Sequence, residues 1–296
     1  MRTALKWLGR IVLVVILLLV LVAGVIYALS ERALNRTYEI RAEVIAIPTD
    51  STAIAEGERL ARIRGCYHGC HGEAAEGGLF VDDPMLGKIT ASDLTRVVHD
   101  LSDVELVRVI RHGVLPDGRS VAVMPSASFY DLTDEDLGAI IAFLRSLPRT
   151  DGARRDVRLG PLARFLMARG VFQLGAAEID HDAPRLDPGD GSDVIVHGRY
   201  LAKTVCTECH GIDLSGGYDT PSLAIAASYT PEEFETLMRT GEPRDRRDLR
   251  LMDDMSRKRF SNFTDDEIEA VYAYLTTTFA GTRAAVSVDS AASGGN

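Results

Sequence analysis

The sequence predicts an all-α protein in which two tandem helical domains follow an N-terminal transmembrane helix. Three observations predict it. Ile11 to Leu29 is an unbroken run of apolar residues and glycine, about as long as a bilayer core is thick. Four landmarks then recur in the same order in the two halves of the chain, as an internal repeat must. The later landmarks are helix-capping strings followed by apolar residues at helical spacing.

Taken in order, residues 1–30 form the anchor. Arg2, Lys6 and Arg10 precede the apolar run with no acidic residue among them, so the N-terminus stays in the cytoplasm and the rest is exported. The only tryptophan, Trp7, sits where an aromatic belt residue is expected. A cleaved signal peptide ending near Ala28-Leu29-Ser30 is the competing reading, but secretory apolar cores usually run about 7 to 15 residues. Residues 31–51 read as an extended stalk.

Gly57-Glu58-Arg59-Leu60-Ala61 opens the first domain, residues 52–149, and is matched by Gly198-Arg199-Tyr200-Leu201-Ala202 in the second, residues 188–282. Both strings read as short helices. A cysteine string follows in each copy, then a Gly-Gly pair, Gly77-Gly78 and Gly216-Gly217. Glycine there lets the backbone turn tightly and approach the edge of a flat ring with no side chain in the way.

Capping boxes at Ser102-Asp103-Val104-Glu105 and Thr230-Pro231-Glu232-Glu233 open the third landmark. Leu106, Val109 and Ile110, and Phe234, Leu237 and Met238, form the expected apolar faces, and each helix ends at Arg-x-Gly. The last helix of each copy starts at Thr133 or Thr264, with stripes Leu137, Ile140, Ile141, Leu144 and Ile268, Val271, Tyr272, Leu275. Residues 150–187 read as a linker with a short helix near Leu162 to Leu174. Residues 283–296 read as a disordered tail.

The formal net charge is -10, and -13 without the three basic residues ahead of the apolar run. That balance argues against nucleic-acid partners and against a basic surface on anionic lipid.

All four cysteines fall in Cys66-Tyr67-His68-Gly69-Cys70-His71 and Cys206-Thr207-Glu208-Cys209-His210. Two cysteines two residues apart and followed at once by histidine form the attachment pattern of a c-type haem. The sulfurs add to the haem vinyl groups, and the histidine lies where its imidazole binds iron. The first string carries one extra residue, which leaves open whether both its cysteines make thioether bonds. Two covalently bound haem c groups are therefore expected.

Each iron has a second axial position. Methionine there makes an electron carrier; an open position makes a catalytic or gas-binding site. Met124, before Pro125, is the candidate in the first copy, with Met85 as the fallback. In the second, Met252 matches Met124 counted from the upstream glycine, and Met255 matches it counted from the downstream cap; Met252 is preferred and Met255 stays open. The metal ligands expected are thus His71, Met124, His210 and Met252. His68, His99, His112, His181 and His197 read as surface or locally bonded residues.

With those residues in view the chain resembles tandem class I c-type cytochromes, most closely the cytochrome subunits of membrane-bound periplasmic dehydrogenases. The resemblance implies two cytochrome c-like domains and single-electron transfer between a dehydrogenase or quinol-oxidising complex and a terminal acceptor. The protein is then a carrier with no catalytic residues, on the periplasmic face of the inner membrane. Those subunits often have three haem domains, and this chain has two.

Three other readings compete with this one. A di-haem peroxidase needs a Phe-x-Thr-Pro-x-Leu-Arg segment that the sequence lacks. The di-haem subunit of a cbb3-type terminal oxidase also has an N-terminal anchor, but with haem strings usually closer together. Zinc on the four cysteines leaves both adjacent histidines and the methionine segments unexplained.

Overall fold

The computed structural model describes residues 2–41, 43–217 and 220–280; the tail expected over residues 283–296 lies outside them. Helix α1 (Arg2–Leu34) is apolar over most of its length and exposed from Thr3 to Val25, and by length and composition it could cross a membrane. The segment after it is extended but does not stand free. Tyr38 N–H donates to the Gly118 carbonyl at 2.9 Å, and Ile45 is buried against the first domain.

In the first unit, α2 (Ser51–Ile63) is capped by the Asp50 side chain. Strands β1 (Gly78–Asp83) and β2 (Gly87–Ala91), then α3 (Leu94–Asp100), α4 (Asp103–His112), α5 (Ser126–Phe129) and α6 (Asp134–Ser146) follow. β3 (Asp156–Leu159) and α7 (Pro161–Ala168) lie in the linker. β3 returns to pair antiparallel with β2 in a sheet of order β1-β2-β3, which adds strands to a chain expected to be all-α.

The second unit is built from α8 (Val194–Leu201), α9 (Thr207–His210), α10 (Pro231–Thr240), α11 (Leu251–Lys258) and α12 (Asp265–Thr278). Each unit is closed by crossing its first helix on its last, α2 on α6 and α8 on α12. A Cβ at Gly57 would lie 1.9 Å from the Ala139 carbonyl oxygen, and one at Gly198 1.9 Å from that of Ala270. The repeated glycine is therefore the point of helix contact, where any side chain would hold the pair apart.

The Arg-x-Gly landmark has a mechanical reason. Gly113 and Gly241 take left-handed backbone at φ 64° and 79° and end α4 and α10. Two residues earlier, Arg111 donates to the Leu132 carbonyl at 2.7 Å and to Asp134 at 2.8 Å. Arg239 does the same to the Phe263 carbonyl and Asp265. Each arginine thus staples the end of one helix to the start of the last helix of its unit, α4 to α6 and α10 to α12.

Apolar stripes fill the two cores. Leu137, Ile140, Ile141 and Leu144 are buried in α6, and Ile268, Val271 and Leu275 in α12. Tyr272 is only half-buried because its hydroxyl donates to the Tyr229 carbonyl at 2.7 Å, while Tyr274 is buried instead. In α4 the buried pair is Leu106 and Val107, one residue off the expected face, with Val109 partly exposed.

Candidate functional site

Both helices that lead into the cysteine strings widen just before them. Cys66 N–H reaches back five residues to the Ala61 carbonyl at 2.9 Å, and residues Ala202–Cys206 form a π-helical turn. Such widening is common near functional sites because it redirects the side chains that follow. The strings then differ. Thr207–His210 continues as helix, whereas the extra residue in the first string is taken up by a turn with His68 at φ 54°. No disulfide joins any of the four cysteines. Burial pushes the Cys66 thiol up to about 11 and that of Cys206 to about 12.

The two histidines are held alike. His71 Nδ1 is 2.8 Å from the Ser92 carbonyl, and His210 Nδ1 is 2.8 Å from the Pro221 carbonyl. A carbonyl can only accept, so Nδ1 carries the proton and Nε2 keeps its lone pair for a metal. Burial lowers both histidine pKa values, against a smaller opposing effect of the carbonyl; the neutral form is favoured.

The Gly-Gly landmark builds that carbonyl. Gly77 N–H donates to the His71 carbonyl at 2.8 Å and Gly216 N–H to that of His210 at 2.9 Å. A Cβ on Gly77 would meet the Ser92 carbonyl carbon at 2.6 Å, and one on Gly216 that of Pro221 at 2.7 Å. The glycine therefore packs flat on the peptide that orients the histidine.

In the second unit Cys206, Cys209 and His210 border a cavity of about 540 Å³, and Met252 and Met255 also line it, a volume in the range of cofactor sites. Leu223, Phe234, Leu237, Val271 and Leu275 make most of the wall apolar. Met252 and Met255 are three apart on α11 and share a face. Met255 Sδ is 3.7 Å from Arg259 Nη1; Met252 has no such polar partner among the described residues. The donor set and the cavity fit haem c: two thiols, an imidazole with a free Nε2 and a thioether sulfur in an apolar enclosure.

In the first unit, Cys66 and Met124 pack against the same core cluster. Met85 lies at the exposed tip of the β1–β2 hairpin, apart from that group. His112 and His181 are locally bonded, their Nδ1 atoms 3.0 Å apart, and His112 Nε2 is 2.8 Å from Glu43. Among the described residues no three Cys, His, Asp or Glu side chains converge as a metal cage.

No local pattern in the sequence signals that the two units meet beside the second cysteine string. Ser128 and Thr207 share a hydrogen bond of 2.8 Å between hydroxyls. Ile63, at the end of α2, is buried in the second unit's core, and its carbonyl accepts from Arg259 Nε at 2.9 Å. Arg259 also donates to Glu208, inside the second string, at 2.9 Å. Only the non-local fold brings these residues together.

Comparison with known proteins agrees with this geometry. A family model described as cytochrome c matches residues 195–279, and one described as cytochrome C oxidase, cbb3-type, subunit III matches residues 52–144. The chain carries two cytochrome c domains. It is similar to the proteins described as alcohol dehydrogenase (quinone), cytochrome c subunit, of Gluconacetobacter polyoxogenes and Komagataeibacter europaeus. Each is 24% identical, in an alignment covering 76% of this chain and 56% of theirs. The chain thus spans about half the length of the curated relatives it matches. Cytochrome c domains imply covalently bound haem c, and their likeness to these subunits supports an electron-carrier role.

Proposed function

We propose that this chain is a membrane-anchored di-haem cytochrome c that carries single electrons between a periplasmic quinone-dependent dehydrogenase or quinol-oxidising complex and a terminal acceptor. Its parts are an anchor over 1–30, haem units over 52–149 and 188–282, and a linker between them. Cys66, Cys70, His71 and Met124 hold one haem; Cys206, Cys209, His210 and Met252 hold the other. The observation that carries this reading is the matched pair of histidines, each with Nδ1 committed to a backbone carbonyl and Nε2 left free.

Haem c bound at these places supplies an iron that cycles between two oxidation states one electron at a time. The chain's own residues do the rest. The carbonyls of Ser92 and Pro221 fix the ring orientation of the histidines, and apolar walls keep water from the second site. The contact between Ser128 and Thr207 brings the segment after Met124 against the second cysteine string, a short route between the two units.

Intact mass together with the spectrum of the oxidised protein tests the proposal. Two added haems with low-spin, methionine-ligated iron in each unit are expected; a single haem, or a high-spin iron, would sink the two-site carrier. The cbb3-type match over residues 52–144 favours a second reading, a subunit of a terminal oxidase. Co-purification from membranes with oxidase rather than dehydrogenase subunits would select it.

A further inference from the structure

The linker does more than join the two domains. α7 packs on the C-terminal end of α1, and Arg164 fixes the contact. It donates to Ser30 Oγ and to Glu31, both at 2.8 Å, and its guanidinium sits 3.9 Å over the Tyr27 ring. Tyr27 and Ser30 bracket the end of the apolar run, so α7 stands at the level where that run would leave a bilayer.

The outer face of α7 is apolar and uncovered. Phe165 is 41% exposed, Leu162 37% and, just beyond the helix, Val171 73%. The hairpin tip joins this face, since Leu162 N–H donates to the Met85 carbonyl at 2.9 Å and Gly160 N–H to that of Leu86 at 2.9 Å. Met85 and Leu86 are exposed as well.

Charge on the same segment runs against the rest of the chain. Residues 149–169 hold six arginines and two aspartates, in a protein of net charge -10. Arg154, Arg155 and Arg169 are exposed and, among the described residues, form no ion pair. An apolar face rimmed by free arginines, continuous with a membrane helix, has the composition of an interfacial lipid-binding surface.

We propose that α7 and the β1–β2 tip form a foot that rests on the anionic lipid surface beside the anchor. Phe165, Leu162 and Val171 enter the acyl boundary, and the arginines meet phosphate headgroups. The net charge of the chain argues against a basic surface on anionic lipid, and residues 149–169 supply one locally. The foot would hold the first cytochrome c domain at a fixed tilt to the membrane. This rests on the reading of α1 as a membrane span.

The test uses the full-length holoprotein in nanodiscs of phosphatidylcholine and phosphatidylglycerol, with Trp7→Phe as background. Phe165→Trp reports the foot and Leu18→Trp the anchor. Emission is read as the ratio between brominated and unbrominated lipid, which cancels the constant quenching by haem. With bromine high on the acyl chain the Phe165→Trp ratio falls to about half; with bromine deep in the chain the Leu18→Trp ratio falls. Quenching of Leu18→Trp alone overturns the foot, leaves the anchor standing and assigns the apolar face to a protein partner. Quenching of neither overturns the anchor reading and the foot with it. Should Phe165→Trp lose haem, Val171→Trp reads the same surface.

Discussion

The two cytochrome c domains share a frame and differ in what covers it. Gly57 and Gly198 make the same helix crossing, and Gly77 and Gly216 back the same histidine carbonyl. Arg111 and Arg239 make the same staple. Among the described residues the hairpin over Gly78–Ala91 is found in the first domain alone; in the second, Gly217 N–H donates to the Thr220 carbonyl. The stalk and the linker also lie on the first domain. Arg111 is fully buried beneath Glu43, whereas the Arg239 side chain keeps 26% of its exposure. The elements that orient His71 and His210 are common to both copies, and those that join the domain to α1 are not.

The largest expected effect tests whether the copies are equivalent at the iron. Met124→Leu should abolish thioether ligation in the first domain alone, and Met252→Leu in the second alone, each read as loss of half the sulfur-to-iron charge-transfer absorbance and a fall in one reduction potential. Met255→Leu should leave both unchanged. If it removes the second domain's signal and Met252→Leu does not, the two roles exchange.

Next come the helix crossings. Gly57→Ala and Gly198→Ala each force a methyl group onto a backbone carbonyl that cannot retreat without parting the helices, at about 3 kcal/mol. Denaturant unfolding should show a similar loss for both. A loss in one domain only would mean that the crossings are not the shared closure they resemble.

The staples should separate the domains. Arg111→Ala leaves Glu43 half-buried with one donor fewer, and about 3 kcal/mol of stability goes with it; Arg239→Ala, partly exposed, should lose about 1 kcal/mol. Equal losses would show that the cover over Arg111 adds nothing.

Much of the shared frame could be read from the chain because it is local. Cys-x-x-Cys-His, the Gly-Gly pairs and the capping boxes act within a few residues, so spacing alone records them. What escaped depends on distant segments. The residues Gly78–Ala91 become strands only because β3, from the linker, completes their sheet, and Ile63 finds its core in the other domain. Counting preferred Met252 but left Met255 open for a geometric reason, since residues three apart on α11 face one cavity. The stalk's hold on the first domain was also missed, for Glu43 has no partner within its own segment.

That hold supplies the finest distinction, through pH. Burial opposes ionisation of Glu43, but hydrogen bonds from His112 and Arg111 outweigh it and keep the carboxyl below the usual carboxylate range. The unfolded chain therefore takes up this proton at higher pH than the native one. The stabilisation is complete above the ordinary carboxylate pKa and drains away as pH falls through Glu43's own. Glu43→Gln should be less stable at neutral pH by about 2 kcal/mol, with the gap closing on acidification because a protonated carboxyl and an amide then play the same part. Asp265→Asn, at the exposed staple of the second domain, should change little at any pH. A gap at Glu43 that stayed constant down to acid pH would make its contribution one of shape, and the two domains would then differ in burial alone.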